Sequence, residues 1–138
     1  MVSQLAIAGG LLALCVVIHA TGIAVALRHA RGQAVRRPRA SRWIGLFVRI
    51  AGWIVLLHLL EIGSWAVVYL WDEAMPDLQS ALYFSAVTYT TTGYGDLVLS
   101  KEWRLVGAVE ALTGILMCGW STGFFFAVVS RLYAASES

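Results

Sequence analysis

Three long apolar runs divide the chain and constrain its fold more than any other feature. They cover residues 4–27, 43–71 and 103–131 of the 138 residues. At about 1.5 Å of rise per residue, each run is long enough for a helix to cross about 30 Å of hydrocarbon. Hydrophobic residues make up 59% of the chain, whereas a soluble domain averages about 45–50%. The sequence therefore predicts an all-α membrane protein with three transmembrane helices.

A shorter apolar segment lies between the second and third runs. Residues 77–90 are too few to span the membrane as a helix, and polar residues precede them. We expect a re-entrant helix that enters the membrane and stops, with Asp77 as its N-cap directly after Pro76.

Basic residues are concentrated between the first two runs. Six of the ten arginines and lysines lie between Arg28 and Arg42. The positive-inside rule places this segment in the cytoplasm, which puts the N-terminus outside and the C-terminus inside. The segment either attracts anionic lipid head groups or only sets the topology, and the second interpretation is favoured.

The residues that follow the re-entrant helix carry the most specific pattern in the chain, Thr90-Thr91-Thr92-Gly93-Tyr94-Gly95-Asp96. Two glycines flank a tyrosine, threonines precede them and an acid follows. Non-helical backbone at membrane depth is tolerated only where protein buries it or it lines a water-filled space. Gly93 and Gly95 suit such a segment, because glycine reaches backbone angles closed to other residues.

This pattern resembles the selectivity filter of potassium channels, and residues 43–131 resemble their pore module. The resemblance implies an outer helix at 43–71, a pore helix at 77–90, a filter at 91–96 and an inner helix at 103–131. It is closest to small bacterial channels of the two-helix type, and so implies a bacterial inner membrane. Residues 43–138 then form the pore module, and residues 1–42 add a transmembrane helix and the basic loop.

The resemblance implies a homotetramer that conducts K+ passively, without a cofactor. The permeant ion would be bound by backbone carbonyls and one side chain: the carbonyls of Thr91, Thr92, Gly93 and Tyr94, and the Thr91 hydroxyl. Such carbonyls replace the water shell of the ion. Tyr94 would pack behind the filter, and Asp96 would close it.

Three positions near the filter depart from the family pattern. Thr92 stands where valine or isoleucine is usual, and its hydroxyl would alter hydration behind the filter. Val87 stands where some bacterial channels have a glutamate, and Phe84 where a tryptophan often bonds the aspartate. Asp96 is therefore expected to be freer than usual.

The resemblance also assigns positions on the inner helix. Gly114 falls at the hinge glycine. The positions that would face the cavity or gate are Ile115, Cys118, Thr122 and Phe126.

Ionisable residues inside the apolar runs predict polar contacts between helices, since such groups are costly in lipid. His58 and Glu61 share a helix face, and His19 lies at a similar depth on the first run. We expect His19 to contact His58 or Glu61 and dock the extra helix. The contact is either a pH-sensitive clasp or structural glue, and the second is favoured.

Glu110 lies about two turns below the outer end of the third run. Its carboxylate would accept hydrogen bonds from the hydroxyl of Thr88 or Tyr89 and so brace the filter. The alternative, equally weighted, is an acid in a water-filled crevice.

Two other functions remain open: a weakly selective cation channel, and a non-conducting interaction subunit that keeps the pore fold. The sequence shows no nucleophile–base set and no metal-ligand cluster, which argues against an enzyme. We expect no nucleic-acid partner. The regulatory partner and the gating stimulus have no sequence signal.

Overall fold

The computed structural model describes residues 2–33 and 40–137, and within these it consists of four helices. They are α1 (Val2–Gln33), α2 (Ala40–Trp71), α3 (Leu78–Tyr89) and α4 (Arg104–Glu137). Three of the four are long and apolar enough to cross a membrane, in the windows Val2–His29, Ile44–Trp71 and Arg104–Arg131. The all-helical fold with three membrane-spanning helices is therefore confirmed.

The long helices extend beyond the apolar runs that predicted them. α1 continues to Gln33 and α2 already begins at Ala40, so much of the basic segment is helical rather than loop. Arginine and alanine are good helix formers, which allows a helix to continue after the apolar run has ended. Residues 34–39 lie outside the described residues, and part of the predicted lipid contact at Arg28–Arg42 falls on them.

The short helix α3 occupies the residues predicted for the re-entrant helix, one residue shorter at each end. Asp77 is its N-cap, as predicted: the carboxylate accepts a hydrogen bond from the backbone N–H of Ser80 at 2.9 Å. The Ser80 hydroxyl donates to the second carboxylate oxygen at 2.8 Å. Both bonds favour the ionised form and lower the pKa of Asp77. Thr90 caps the other end.

The helices pack so that α3 contacts both α2 and α4, and α1 contacts the same two helices. The largest apolar cluster is built from all four helices, with Trp65 and Tyr69 of α2 fully buried in it. A smaller cluster joins α1, α2 and α4 around Ile23, Ile50 and Phe124. α3 is thereby held against two membrane-spanning helices, α2 and α4. The position of its C-terminal end, where the next segment begins, is therefore fixed.

Candidate functional site

The backbone after α3 adopts a pattern that ordinary strands lack. φ is positive at Thr91 (59°), Gly93 (52°) and Gly95 (77°), which is every second residue of the segment. Alternation of φ between negative and positive values turns successive peptide groups toward one side, as in backbone nests. Positive φ is expected of glycine but costs about 1–3 kcal/mol at a β-branched threonine. Such a conformation persists only where the surrounding structure holds it.

The C-terminal turn of α3 holds the first half of this segment. The N–H of Thr91 donates to the carbonyl of Thr88 at 2.9 Å, and the N–H of Gly93 donates to the carbonyl of Val87 at 3.0 Å. Val87 and Thr88, two of the four residues expected to support the filter, therefore contact this segment through their backbone carbonyls. These bonds hold Thr91 in its unusual conformation.

The Thr92 hydroxyl lies 3.0 Å from the hydroxyl of Thr90, which in turn donates to the carbonyl of Ala86 at 2.7 Å. The polar group at position 92 thus has a partner within its own chain. The contact ties the segment to α3 a third time.

Asp96 is not free, which corrects the expectation drawn from Phe84 and Val87. The hydroxyl of Tyr83 donates to the Asp96 carboxylate at 2.7 Å. The hydrogen bond stabilises the carboxylate and lowers the pKa of Asp96. Phe84 itself is buried, and its ring packs edge-on against the ring of Tyr69, with the two ring centroids 5.4 Å apart. The residue that bonds Asp96 is therefore Tyr83 and not the residue at position 84, where the family often has the bonding tryptophan. A comparison of position 84 alone does not reveal this partner.

Glu110 is fully buried, and both of its predicted environments are wrong. Its carboxylate accepts hydrogen bonds from the hydroxyls of Tyr69 at 2.7 Å and Ser85 at 2.5 Å, rather than from Thr88 or Tyr89. Its side chain is 0% exposed, so no water-filled crevice surrounds it. α4 meets α3 at the level of Ser85, one turn before Tyr89. Glu110 therefore links α2, α3 and α4 at Ser85, in the second half of the short helix.

The expected contact between the first two helices joins His19 and Glu61. Nδ1 of His19 lies 2.9 Å from Oε1 of Glu61, and both side chains are fully buried. Nδ1 of His58 lies 3.3 Å from Oε2 of the same carboxylate. The contact docks α1 onto α2, and whether it also senses pH stays a prediction.

Two members of this polar cluster were missed by the sequence analysis. The hydroxyl of Tyr89 donates to Oε2 of Glu61 and lies 3.0 Å from Nδ1 of His58. The hydroxyl of Ser121 on α4 lies 3.0 Å from Nε2 of His19 and 3.1 Å from Nε2 of His58. The available signal was a polar side chain inside an apolar run. The cluster therefore includes residues of all four helices, and through Tyr89 it reaches the end of α3.

The predicted cavity positions separate into two faces of α4. Gly114 is packed against α3: a Cβ built there would lie 1.8 Å from the carbonyl oxygen of Tyr89. The other four share an exposed stripe on another face, namely Ile115, Cys118, Thr122 and Phe126. Within the Phe124–Phe126 triplet only Phe126 is exposed, and Phe124 is buried against α1 and α2. Gly114 therefore has a packing role that the hinge assignment did not include.

Every residue from Thr91 to Asp96 is exposed in the single chain. Tyr94 is 72% exposed, so the predicted packing of Tyr94 behind the filter is not made within the single chain.

Comparison with known proteins reaches the same part of the chain. A family model described as an ion channel matches residues 43–131, about two thirds of the chain. No curated protein and no solved structure matches it significantly. The match covers α3, the segment after it and nearly all of α2, together with α4 as far as Arg131, and it leaves α1 outside. On this match and on its three membrane-spanning helices, the chain belongs to the ion channel family.

Proposed function

We propose that four copies of this chain form a pore that conducts K+ selectively and passively across a membrane. The observation that carries the proposal is the backbone of Thr91–Asp96, with positive φ at every second residue of the motif. A backbone of this kind can offer several carbonyl oxygens on one side. Four such segments around an axis would replace the hydration shell of a cation with neutral oxygens that bind it and also release it.

The residues of the proposed filter have distinct roles. The carbonyls of Thr91, Thr92, Gly93 and Tyr94 and the Thr91 hydroxyl would bind the ion. The C-terminal end of α3, near Thr90, carries the negative end of a helix dipole and would favour a cation below the filter. Asp96, held by Tyr83, would stand at the outer mouth.

The proposed homotetramer is supported by what the single chain leaves uncovered. Residues 91–96 are all exposed, and one copy of the segment supplies only one side of an ion's coordination shell. The exposed stripe from Ile115 to Phe126 on α4 would then line the cavity below the filter. Neighbouring copies would cover Tyr94.

The basic residues support one orientation of the proposed channel. With Arg28–Arg42 in the cytoplasm, the N-terminus and the filter face outside, and the C-terminus lies inside. By the resemblance, the membrane is a bacterial inner membrane. Anionic lipid head groups are the proposed partners of the basic segment.

A weakly selective cation channel is the second candidate, favoured by the residue type at position 92, where this chain has threonine. A hydroxyl stands where the family usually places an apolar side chain, and it adds a polar, exchangeable contact beside the filter. A looser filter would admit Na+ more readily.

Flux from liposomes loaded with K+, Rb+ or Na+ tests the proposal. We expect K+ and Rb+ to pass and Na+ to be largely retained. Gly93→Ala should abolish the flux, because φ of +52° strains any residue with a Cβ. Gly119→Ala is the matched control, since nothing lies within 4 Å of a Cβ there.

Three results distinguish the candidates. Equal passage of Na+ and K+ supports the weakly selective channel and contradicts K+ selectivity. No flux from a folded tetramer supports a non-conducting interaction subunit. Unchanged selectivity in Gly93→Ala contradicts the assignment of the filter.

A further inference from the structure

The cluster around Glu61 contains a set of metal ligands that no single stretch of sequence reveals. We propose that His19, His58 and Glu61 bind one transition-metal dication of the Zn²⁺ type, and that this ion clamps α1 to the pore module. His19 comes from α1, and the other two residues come from α2. One ligand atom from each lies within 4.8 Å of the other two. The proposal does not depend on which ion the pore conducts.

The distances suit a small, four-coordinate ion. Nδ1 of His19 and Nδ1 of His58 lie 2.9 Å and 3.3 Å from the two oxygens of Glu61. With bonds of about 2.0–2.1 Å to a tetrahedral Zn²⁺, neighbouring ligand atoms stand about 3.3 Å apart. Small side-chain movements therefore suffice to place an ion between the three groups.

Ser121 orients both imidazoles for this role. Its hydroxyl oxygen lies 3.0 Å and 3.1 Å from the two Nε2 atoms, and it has two lone pairs to accept a hydrogen bond from each. In that arrangement both Nε2 atoms carry the proton and both Nδ1 atoms present a lone pair. Two lone pairs and a carboxylate then face one another, and only a positive charge between them makes this favourable. Metal-binding histidines are commonly oriented through their second nitrogen in this way.

The Tyr89 hydroxyl lies beside two of the three ligands, His58 and Glu61, and would be the fourth ligand. It lies 3.0 Å from Nδ1 of His58 and is hydrogen-bonded to Glu61. Two imidazoles with a carboxylate favour Zn²⁺ and its transition-metal neighbours, whereas Mg²⁺ and Ca²⁺ prefer oxygen ligands alone.

The site is shielded from solvent except on one side, by which an ion can enter. His19 and Glu61 are 0% exposed, and the side chain of His58 is 17% exposed, which makes His58 the entry side. A bound ion would hold α1 on α2 and, through Tyr89, would steady the residue two positions before the filter. A proton held between the same groups is the competing occupant.

Titration with Zn²⁺ tests the site. Zn²⁺ is added to the purified full chain, from which any affinity tag has been removed, and calorimetry measures the binding. We expect one Zn²⁺ per chain and a higher unfolding temperature at saturation. His19→Gln and Glu61→Gln should each weaken Zn²⁺ binding by about 100-fold or more. Mutation of residues that only hydrogen-bond to metal ligands already lowers metal affinity by about 10- to 100-fold. Two matched controls should bind as the wild type does: His29→Gln, at the remaining and exposed histidine, and Glu110→Gln, at the other buried glutamate.

Two results would overturn the proposal. One is no saturable Zn²⁺ binding to the wild type at micromolar concentration, which would leave a proton as the occupant. The other is binding that survives His19→Gln and Glu61→Gln but disappears with His29→Gln, which would place the ion at the surface. If the variants do not fold, the visible spectrum of the Co²⁺-loaded wild type decides. Intense bands of a four-coordinate ion support the site, and the weak bands of an octahedral ion contradict it.

Discussion

Gly114 is the glycine at which an added methyl group would come closest to the backbone that precedes the proposed filter. A Cβ at this position would stand 1.8 Å from the carbonyl oxygen of Tyr89 and 2.7 Å from its carbonyl carbon. Both are backbone atoms and cannot rotate away. Tyr89 is the last residue of α3, so any displacement is passed on to Thr91 and Gly93, whose N–H groups bond to the same turn.

Gly114→Ala is therefore expected to destabilise the channel by about 1–3 kcal/mol, the usual cost of overpacking, and to reduce flux. Gly123→Ala on the same helix has nothing within 4 Å of its Cβ, and should be neutral or stabilising by about 0.5–1 kcal/mol. Thermal unfolding and liposome flux measure the two effects. Equal behaviour of the two variants would contradict the close approach.

The bond from Tyr83 to Asp96 predicts a pH effect at the last residue of the proposed filter. The bond lowers the pKa of Asp96, so its stabilisation is complete above the ordinary aspartate pKa and is lost as pH falls through the lowered value. Tyr83→Phe removes the bond, and the pKa of Asp96 should rise toward its ordinary value. Protonation in acid should then begin at a higher pH.

Infrared titration of the carboxylates measures this change, with Asp96→Asn identifying the band. Asp77 is the internal control, because Ser80 lowers its pKa and should continue to do so. A band for Asp96 at the same pH in wild type and Tyr83→Phe would show that the bond does not form in the membrane.

Among the helices, α4 has two faces with different surroundings. One face is buried against the other helices and includes Glu110, Gly114 and Ser121, which follow helical spacing. The exposed stripe from Ile115 to Phe126 lies on another face. The chain places one cysteine on the exposed stripe of α4, Cys118, and buries the other on α1, Cys15.

The two native cysteines test the stripe. If it lines the cavity, a charged methanethiosulfonate reagent added from the cytoplasmic side should react with Cys118 and block flux, and Cys15 should remain unmodified. Cys118→Ser should abolish the block and Cys15→Ser should keep it. A block that persists in Cys118→Ser would place the stripe away from the ion path.

The sequence was sufficient to predict the helices, but not the side-chain contacts between them. Apolar runs and the cap at Asp77 located the four helices of the described residues, because length, hydropathy and capping are local properties. The partners of Glu110 depend on how α3 and α4 are rotated about their axes, and a difference of one turn exchanges Tyr89 for Ser85. Ser121 lies 102 residues from His19, and no local pattern connects them.

At the scale of the whole molecule, α1 is outside the matched family region but is not peripheral. It supplies His19, one of three partners of Glu61, and its Gly22 carbonyl accepts a hydrogen bond from Nε1 of Trp53 at 2.9 Å. The pore module therefore carries a buried acid whose Oε1 is contacted by the added helix, while His58 and Tyr89 of the module itself contact Oε2.

A chain limited to residues 43–138 should consequently be less stable than the full chain. A buried charge that loses its only partner costs about 3–5 kcal/mol, and the expected loss here is smaller because Glu61 keeps His58 and Tyr89. Glu61→Gln in the shortened chain should recover part of the loss, because the amide carries no charge. Thermal unfolding of the three proteins in the same detergent measures this. A shortened chain as stable as the full one would show that α1 is not needed for the fold.

The polar cluster also bears on how the protein is made. α1 enters the bilayer first with His19 unpartnered, and Glu61 follows on α2 before Tyr89 and Ser121 have been synthesised. The hydrogen bonds between Ser121 and the two histidines form only when α4 arrives. A chain interrupted before that point retains polar groups within the bilayer that lack their final partners, and such groups are costly there. Completion of the cluster thus distinguishes a finished chain from an unfinished one.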